Sequence, residues 1–245
     1  MRETTFTLDR VRQLNGDTYE LSLSGDASAV TAPGQFVNLE LPGYFLRRPI
    51  SICDWTVSSL RLLVKEAGKG TRELVRLTPG TALRVLTGLG NGFAMDLAGS
   101  SPVLAGGGIG AAPLYGLARR LLEQGKAPTV ALGFRSKADA YYLEEFAALG
   151  CPVAVATEDG SLGTKGFVTD CIAALPGCDY VCACGPLPML KAVHGLPQLK
   201  GGQFSFEARM GCGFGACMGC TVPTAGGYKR VCKDGPILFQ EEIVW

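Results

Sequence analysis

Four cysteines near the end of this 245-residue chain carry its strongest chemical signal. Cys212, Cys217, Cys220 and Cys232 follow the spacing C-x4-C-x2-C-x11-C. Thiolates are soft donors, suited to iron–sulfur clusters and to zinc rather than to hard cations. The first three match the opening of a plant-type [2Fe–2S] motif, whereas the gap to the last is much shorter than that motif uses. Zinc knuckles also use C-x2-C, but they present two such pairs. Here there is one, preceded by C-x4, so the spacing favours an iron–sulfur cluster and leaves zinc as the alternative. Gly211, Gly213, Gly215 and Gly219 interleave the thiols, permitting tight turns and close approach of backbone N–H groups to sulfur. The other six cysteines (Cys53, Cys151, Cys171, Cys178, Cys182 and Cys184) sit mostly in apolar strands or helices and read as small core residues.

Three glycine- or arginine-rich stretches could hold phosphates. Arg48 and Ser51 in Arg47-Arg48-Pro49-Ile50-Ser51 open a strand, and both are expected to reach one phosphate or flavin edge, on the ground that alternate strand residues share a face. An arginine pair before a strand is also a common surface feature. Gly68-Lys69-Gly70-Thr71 leads into a short helix whose N-terminus could hold a pyrophosphate, or is a surface turn. Gly106-Gly107-Gly108-Ile109-Gly110-Ala111-Ala112-Pro113 follows a strand and precedes a helix, the context a nucleotide-binding glycine loop requires. It reads G-x-G-x-x-P from Gly108, and proline suits the first turn of a helix. Cys184-Gly185-Pro186 follows a later strand at the same sheet edge; by itself it is a buried turn.

Composition closes off other chemistries. The chain has 23 basic and 22 acidic side chains, a net charge of +1, which lacks the footprint of a nucleic-acid binder. The single histidine, His194, argues against serine–histidine catalysis and against a multi-histidine metal centre. With 47% hydrophobic and 18% charged residues, the chain can bury a full core. The first residues show no apolar signal segment, and ten cysteines without one imply reduced thiols and a cytoplasmic location. Leu97 to Ala118 lacks charge over 22 residues, but its six glycines and two prolines suit a buried strand and glycine turn better than a membrane span.

The elements that must position these residues change rhythm along the chain. Residues 1–97 alternate in short strands with turns (Asn15-Gly16 is a strong hairpin signal), which predicts an antiparallel β-barrel. Residues 98–201 alternate apolar strands with helices, including one expected over Ala138–Leu149, and this predicts a parallel α/β sheet with ligands at the strands' carboxyl ends. From about Gly202 the alternation stops, and residues 202–245 form a compact cysteine segment.

Together these motifs resemble the ferredoxin–NADP reductase superfamily, and the cysteine segment, with Glu207-Ala208-Arg209-Met210 leading into Cys212, narrows the resemblance to the electron-transfer subunits of dihydroorotate dehydrogenase B. The resemblance covers essentially the whole chain. Arg48-Pro49-Ile50-Ser51 stands where the superfamily has R-x-[YF]-[ST], with isoleucine in place of the aromatic. It implies FAD contacts from Arg48, Pro49, Ile50, Ser51, Leu63, Val64, Lys65, Gly70 and Thr71, and NAD(H) contacts from Gly106, Gly108, Gly110, Pro113, Cys184, Gly185 and Pro186. It further implies that Cys212, Cys217, Cys220 and Cys232 ligate a [2Fe–2S] cluster. Electrons would pass between NAD and an FMN-containing dihydroorotate dehydrogenase subunit, with two copies of each chain. No stretch remains to build a dihydroorotate site here, so the chain reads as half an enzyme. A related reductase subunit serving another acceptor, or a zinc-stabilised binding module, are the other readings. Arg135 and Lys137 after the second sheet strand could hold a 2′-phosphate, or form a solvated loop or an interface, while the resemblance implies NAD. Phe214 and Met218 could surround the cluster with apolar contact surface for the partner, or Phe214 could pack beneath the loop.

Overall fold

The structure is a computed structural model describing the whole chain, Met1–Trp245. Six antiparallel strands close a barrel: β1 (Arg2–Gln13), β2 (Thr18–Ser24), β3 (Phe36–Leu39), β4 (Arg48–Thr56), β5 (Ser59–Lys65) and β6 (Ala82–Leu89), in the order β1-β2-β5-β4-β3-β6. The turn between β1 and β2 forms where the Asn-Gly signal lies: the Asn15 side-chain oxygen accepts from the N–H groups of Asp17 and Thr18 at 3.1 and 2.8 Å. Alternate strand residues, among them Phe6, Leu8, Leu21, Leu23, Val37 and Leu62, fill the barrel. A short helix, α1 (Lys69–Leu74), follows β5.

The second unit is a seven-stranded sheet. Its parts in chain order are β7 (Val103–Gly107), α2 (Ala111–Glu123), β8 (Thr129–Phe134), α3 (Leu143–Ala148), β9 (Val153–Thr157), β10 (Thr164–Lys165), α4 (Val168–Ala173), β11 (Tyr180–Cys184), α5 (Leu187–His194) and β12 (Gly201–Ser205). A hairpin, β13 (Thr221–Thr224) with β14 (Gly227–Arg230), follows, and β15 (Ile237–Phe239) returns to the sheet. The order β10-β9-β8-β7-β11-β12-β15 is parallel up to β12, with β15 antiparallel on the edge. Strand order reverses between β7 and β11, so the crevice for a ligand opens beyond their carboxyl ends. The uncharged Leu97–Ala118 run is β7 with its flanking turn and the start of α2, and no helix is long and apolar enough to cross a membrane.

Two expectations need correction. The alternation does not stop at Gly202, because β12 pairs with β11 from Gly201 to Ser205. Paired glycines conceal this strand, being poor strand formers. They are needed because a side chain on Gly202 would meet Val181 at 2.8 Å. The cysteine segment is therefore threaded between two sheet strands, β12 and β15, rather than appended as a tail. Nor is Ala138–Leu149 one helix: Tyr142 adopts φ 65°, and α3 begins only after it.

The two units share a packed boundary. Gly116 of α2 faces the Cys53 carbonyl of β4, where a Cβ would approach to 2.6 Å. Arg119 and Arg120 donate to Asp54 at 2.9 and 3.2 Å, and the Arg120 guanidinium lies 3.2 Å from the Trp55 ring centre. Gln203 of β12 exchanges two hydrogen bonds with the Ala94 backbone, at 2.7 and 3.0 Å, and is fully buried.

Candidate redox site

Two cavities open along this boundary, and the cysteine loop lies beyond the smaller. The larger, about 520 Å³, collects residues from both units at the sheet's carboxyl edge. Gly107, Gly108 and Ile109 come from the glycine loop, Phe134 from the end of β8, and Arg135 and Asp139 from beyond it. Glu158 follows β9, Phe167 precedes α4, Pro186 and Met189 belong to the start of α5, and Asp17, Thr18 and Lys65 come from the barrel. Gly108 has φ +52° and open space above it, so backbone can approach a ligand there.

The smaller cavity, about 250 Å³, lies between the barrel and the sheet. Pro49, Ile50, Ser51, Leu63, Lys65 and Thr71 form its barrel wall. Pro113, Cys184, Ser205, Glu207, Ala208 and Met210 face them. Lys65 and Ile109 line both cavities, so the two are separated by only one layer of side chains. Burial pushes the Cys184 thiol up to about 12, which keeps it neutral. Glu207 lines this cavity as well, and partial removal from water there raises its carboxyl.

The residues singled out in the sequence divide between these places. Pro49, Ile50, Ser51, Leu63, Lys65 and Thr71 meet in the smaller cavity, as one flavin site would need. Val64 instead faces the barrel core. Arg48 and Ser51 are an odd number of residues apart and do not share a strand face. Arg48 lies over the Tyr44 ring, 4.5 Å from its centre, and passes so close to Gly70 that a Cβ there would meet its Nε at 2.1 Å. Gly70 thus makes room for Arg48. Thr71 accepts at its hydroxyl from the Ala67 and Gly68 N–H groups, which tightens the turn into α1.

Among the residues assigned to NAD, Gly108 and Pro186 line the larger cavity, while Pro113 and Cys184 face the smaller. Gly106 and Gly110 allow close packing. A Cβ on Gly106 would meet Leu132 at 2.7 Å, and one on Gly110 would meet the Cys184 carbonyl oxygen at 2.1 Å. Gly185, at φ +159°, lies under Met189. Sequence reading missed Tyr141, whose hydroxyl donates to the Gly108 carbonyl at 2.6 Å, and also Glu158, Phe167 and Glu207. No motif singles out Tyr141, Glu158 or Phe167, because each reaches its cavity through the fold; Glu207 lies in the run before Cys212 but carries no mark of a cavity residue.

The four loop cysteines sit as two pairs. The N–H groups of Ala216 and Cys217 donate to Cys212 Sγ at 3.2 and 3.4 Å, and that of Cys212 donates to Cys217 Sγ at 3.4 Å. Cys232 N–H donates to Cys220 Sγ at 3.4 Å. A [2Fe–2S] centre takes two thiols on each of its two irons, which matches this paired arrangement. Gly211 and Gly219 crowd Cys217 Sγ, where a Cβ would come within 3.2 and 3.5 Å, so the glycines keep the space beside sulfur clear. Burial raises the Cys212 thiol, but N–H donors from Phe214, Cys217 and Ala216 outweigh it and hold it at about 6. For Cys232, burial and the neighbouring Cys220 push the thiol up to about 12. The barrel anchors the loop: buried Asn38 of β3 donates to the Cys212 carbonyl at 3.1 Å. Phe214 and Met218 are exposed on its surface.

A six-stranded barrel, a parallel sheet with cavities at the junction, and a four-thiol loop together define a ferredoxin–NADP reductase-type electron-transfer protein. The structure superimposes with a TM-score of 0.88 on that of an NADH-dependent reduced ferredoxin-NADP oxidoreductase, with 30% identity, covering 98% of this chain and 90% of the other. Phthalate dioxygenase reductase shares the fold at a TM-score of 0.64 over 79% of this chain and 64% of the other, with 19% identity. Residues 207–244 match the iron-sulfur cluster binding domain of dihydroorotate dehydrogenase B. The electron transfer subunit of dihydroorotate dehydrogenase B (NAD(+)) from Geobacillus sp. (strain WCH70) is 43% identical over 100% of this chain and 99% of its own length. That from Bacillus caldolyticus is 44% identical over 93% of each. The chain belongs to the family of dihydroorotate dehydrogenase B (NAD(+)) electron transfer subunits.

Proposed function

We propose that this chain relays electrons between a dihydroorotate-oxidising subunit and NAD, in pyrimidine biosynthesis in the cytoplasm. The observation that carries the reading is continuity. The larger cavity meets the smaller across Lys65 and Ile109, and the wall of the smaller runs through Glu207 and Met210 directly into Cys212. Nicotinamide, flavin and cluster sites therefore follow one another without a gap in the chain's own side chains.

In this reading NAD(H) would be held in the larger cavity, where Gly108 and Ile109 line the wall. FAD would be held by Pro49, Ile50, Ser51, Leu63, Lys65 and Thr71, and the cluster by Cys212, Cys217, Cys220 and Cys232. When bound, FAD would supply the exchange between the electron pair of one hydride and the single electrons that a cluster carries. The chain's residues position and shield. Ile109 gives both cavities an apolar wall and Pro113 lines the smaller, where neutral Cys184 adds no charge. Backbone N–H groups donate to the thiolates, a lever that sets cluster potential. Functionally the barrel is residues 1–97, the nucleotide unit 98–201 together with β12 and β15, and the cluster segment the remainder of 202–245.

The nucleotide is NADH rather than NADPH. Arg135 is already paired with Asp139 at 3.3 Å, and Ser136 holds that carboxyl low by donating to it at 2.7 Å. Glu158 places a second carboxylate in the same cavity, and a carboxylate suits a free ribose diol better than a phosphate. The partner is an FMN-bearing dihydroorotate dehydrogenase subunit, two copies of each, docking over exposed Phe214 and Met218 so that the cluster is shielded. A decisive experiment purifies the chain, measures flavin and iron, and assays NAD-linked dihydroorotate oxidation with and without that subunit. Flavin and iron–sulfur absorbance with activity only in the mixture is the expected result. A colourless zinc protein, or dihydroorotate turnover by the chain alone, would overturn the reading.

A further inference from the structure

Consecutive tyrosines at the boundary send their hydroxyls in different directions. Tyr141 donates to the Gly108 carbonyl of the nucleotide loop at 2.6 Å. Tyr142 donates to Glu20 Oε2 on barrel strand β2 at 2.5 Å. Glu20 also accepts from Arg12 at 3.0 Å, and the same guanidinium reaches Glu145 of α3 at 3.1 Å. Tyr142 is 2% exposed and Glu20 8%, so this polar group is sealed between the two units. Burial would raise the Glu20 carboxyl, but the Tyr142 and Arg12 donors more than offset it, and it stays an anion receiving the phenol proton donor.

The backbone is held against its preference to achieve this. Tyr142 adopts φ 65° and ψ 11°, a left-handed conformation that costs a bulky residue free energy and persists only where surroundings enforce it. Its ring is fixed edge-on to Tyr115 of α2, with centres 5.3 Å apart, and to Phe146 of α3 at 6.4 Å. Core packing alone needs neither a tyrosine hydroxyl nor this turn. What the turn accomplishes is to attach the glycine loop and the barrel to adjacent residues. Ile109, next to Gly108, is with Lys65 one of two side chains that line both cavities.

We propose that Tyr142 is a positioning residue: anchored on Glu20 of the barrel, it sets Tyr141 against the Gly108 carbonyl and so fixes the nicotinamide cavity in register with the flavin cavity. This deepens the reading of the chain as an NADH–flavin electron carrier and rests on it. Small misplacement of reacting groups lowers rate steeply without removing binding. Tyr142→Phe keeps the ring and deletes only the hydroxyl.

The test uses the full chain loaded with FAD and cluster. Rapid mixing with NADH measures the limiting rate of flavin reduction and the NADH dissociation constant separately, and backbone hydrogen exchange monitors residues 108–112 and 141–146. Tyr142→Phe is expected to slow limiting reduction at least about tenfold, with NADH affinity within about twofold, and to speed exchange in both segments. Glu20→Gln, which retains an acceptor for the phenol, is expected to keep a faster rate than Glu20→Ala. An unchanged limiting rate in Tyr142→Phe, with FAD and iron retained, overturns the proposal. If that variant loses its FAD, equal rates in Glu20→Gln and Glu20→Ala overturn it instead. Failure of NADH to reduce the wild-type flavin would count against the functional reading, and the exchange measurement still reports on the tether.

Discussion

The cysteine loop and the nucleotide cavity are built on opposite principles. All four thiols lie between Cys212 and Cys232, and their spacing, glycines and N–H donors belong to one short stretch. The larger cavity instead gathers residues from Asn15 to Ala192, on barrel strands, sheet strands and helix starts. A site whose ligands are near in sequence is specified by residue type and local turns. One assembled across a domain boundary is specified by topology, and its residues carry no local mark. Injury to the two should therefore look different.

The largest effect belongs to the loop. Cys217→Ser replaces a soft thiolate with a hydroxyl and should abolish iron binding while flavin content stays near normal. Iron and flavin assays on the purified variant check this, and full iron retention with an unaltered spectrum would remove Cys217 from the ligand set. Next comes the cavity. Gly110→Ala drives a methyl group into the Cys184 carbonyl oxygen, 2.1 Å from the ideal Cβ, and should cost about 3 kcal/mol of stability. Chemical unfolding measures that loss, and NADH binding should fall with it; a variant as stable as the parent would mean that this helix start is free to move.

A smaller effect sharpens the contrast on the nucleotide side. Glu158→Gln removes one of the carboxylates near Arg135 and should narrow the preference for NADH over NADPH about tenfold, or about 1.4 kcal/mol. Steady-state flavin reduction with each nucleotide gives the ratio, and an unmoved ratio would place ribose recognition elsewhere. The smallest effect joins the two regions. Asn38→Ala deletes the barrel's hydrogen bond to the Cys212 carbonyl and should loosen the loop by about 1 kcal/mol, seen as roughly fivefold faster iron release to a chelator. Release at the parent rate would show that the loop holds its thiols unaided.

Much was legible in the chain itself, for identifiable reasons. Alternation at period two and an Asn-Gly turn wrote the barrel, and strand–glycine–helix order wrote the parallel sheet. Thiol spacing wrote the cluster loop, since a C-x4-C-x2-C run needs no distant partner to be recognised. Ser51 and Thr71 lie in short motifs and Lys65 was implied by the resemblance, and the fold brings the three to one cavity. Other features depended on the tertiary structure. Gly201 and Gly202 look like an end to strand structure, and become β12 only because β11 offers them a parallel partner. Arg48 and Ser51 were expected to share a strand face, yet the two-residue period separates them, and the Arg48 guanidinium lies over the Tyr44 ring. Tyr142 read as part of a helix, because nothing local announces a left-handed residue whose conformation is imposed by Glu20 across the boundary. Local chemistry was settled by residue type and spacing, which are properties of the sequence. The cavities and their register were settled by which strands become neighbours, since long-range packing overrides local preference wherever a buried group finds its partner.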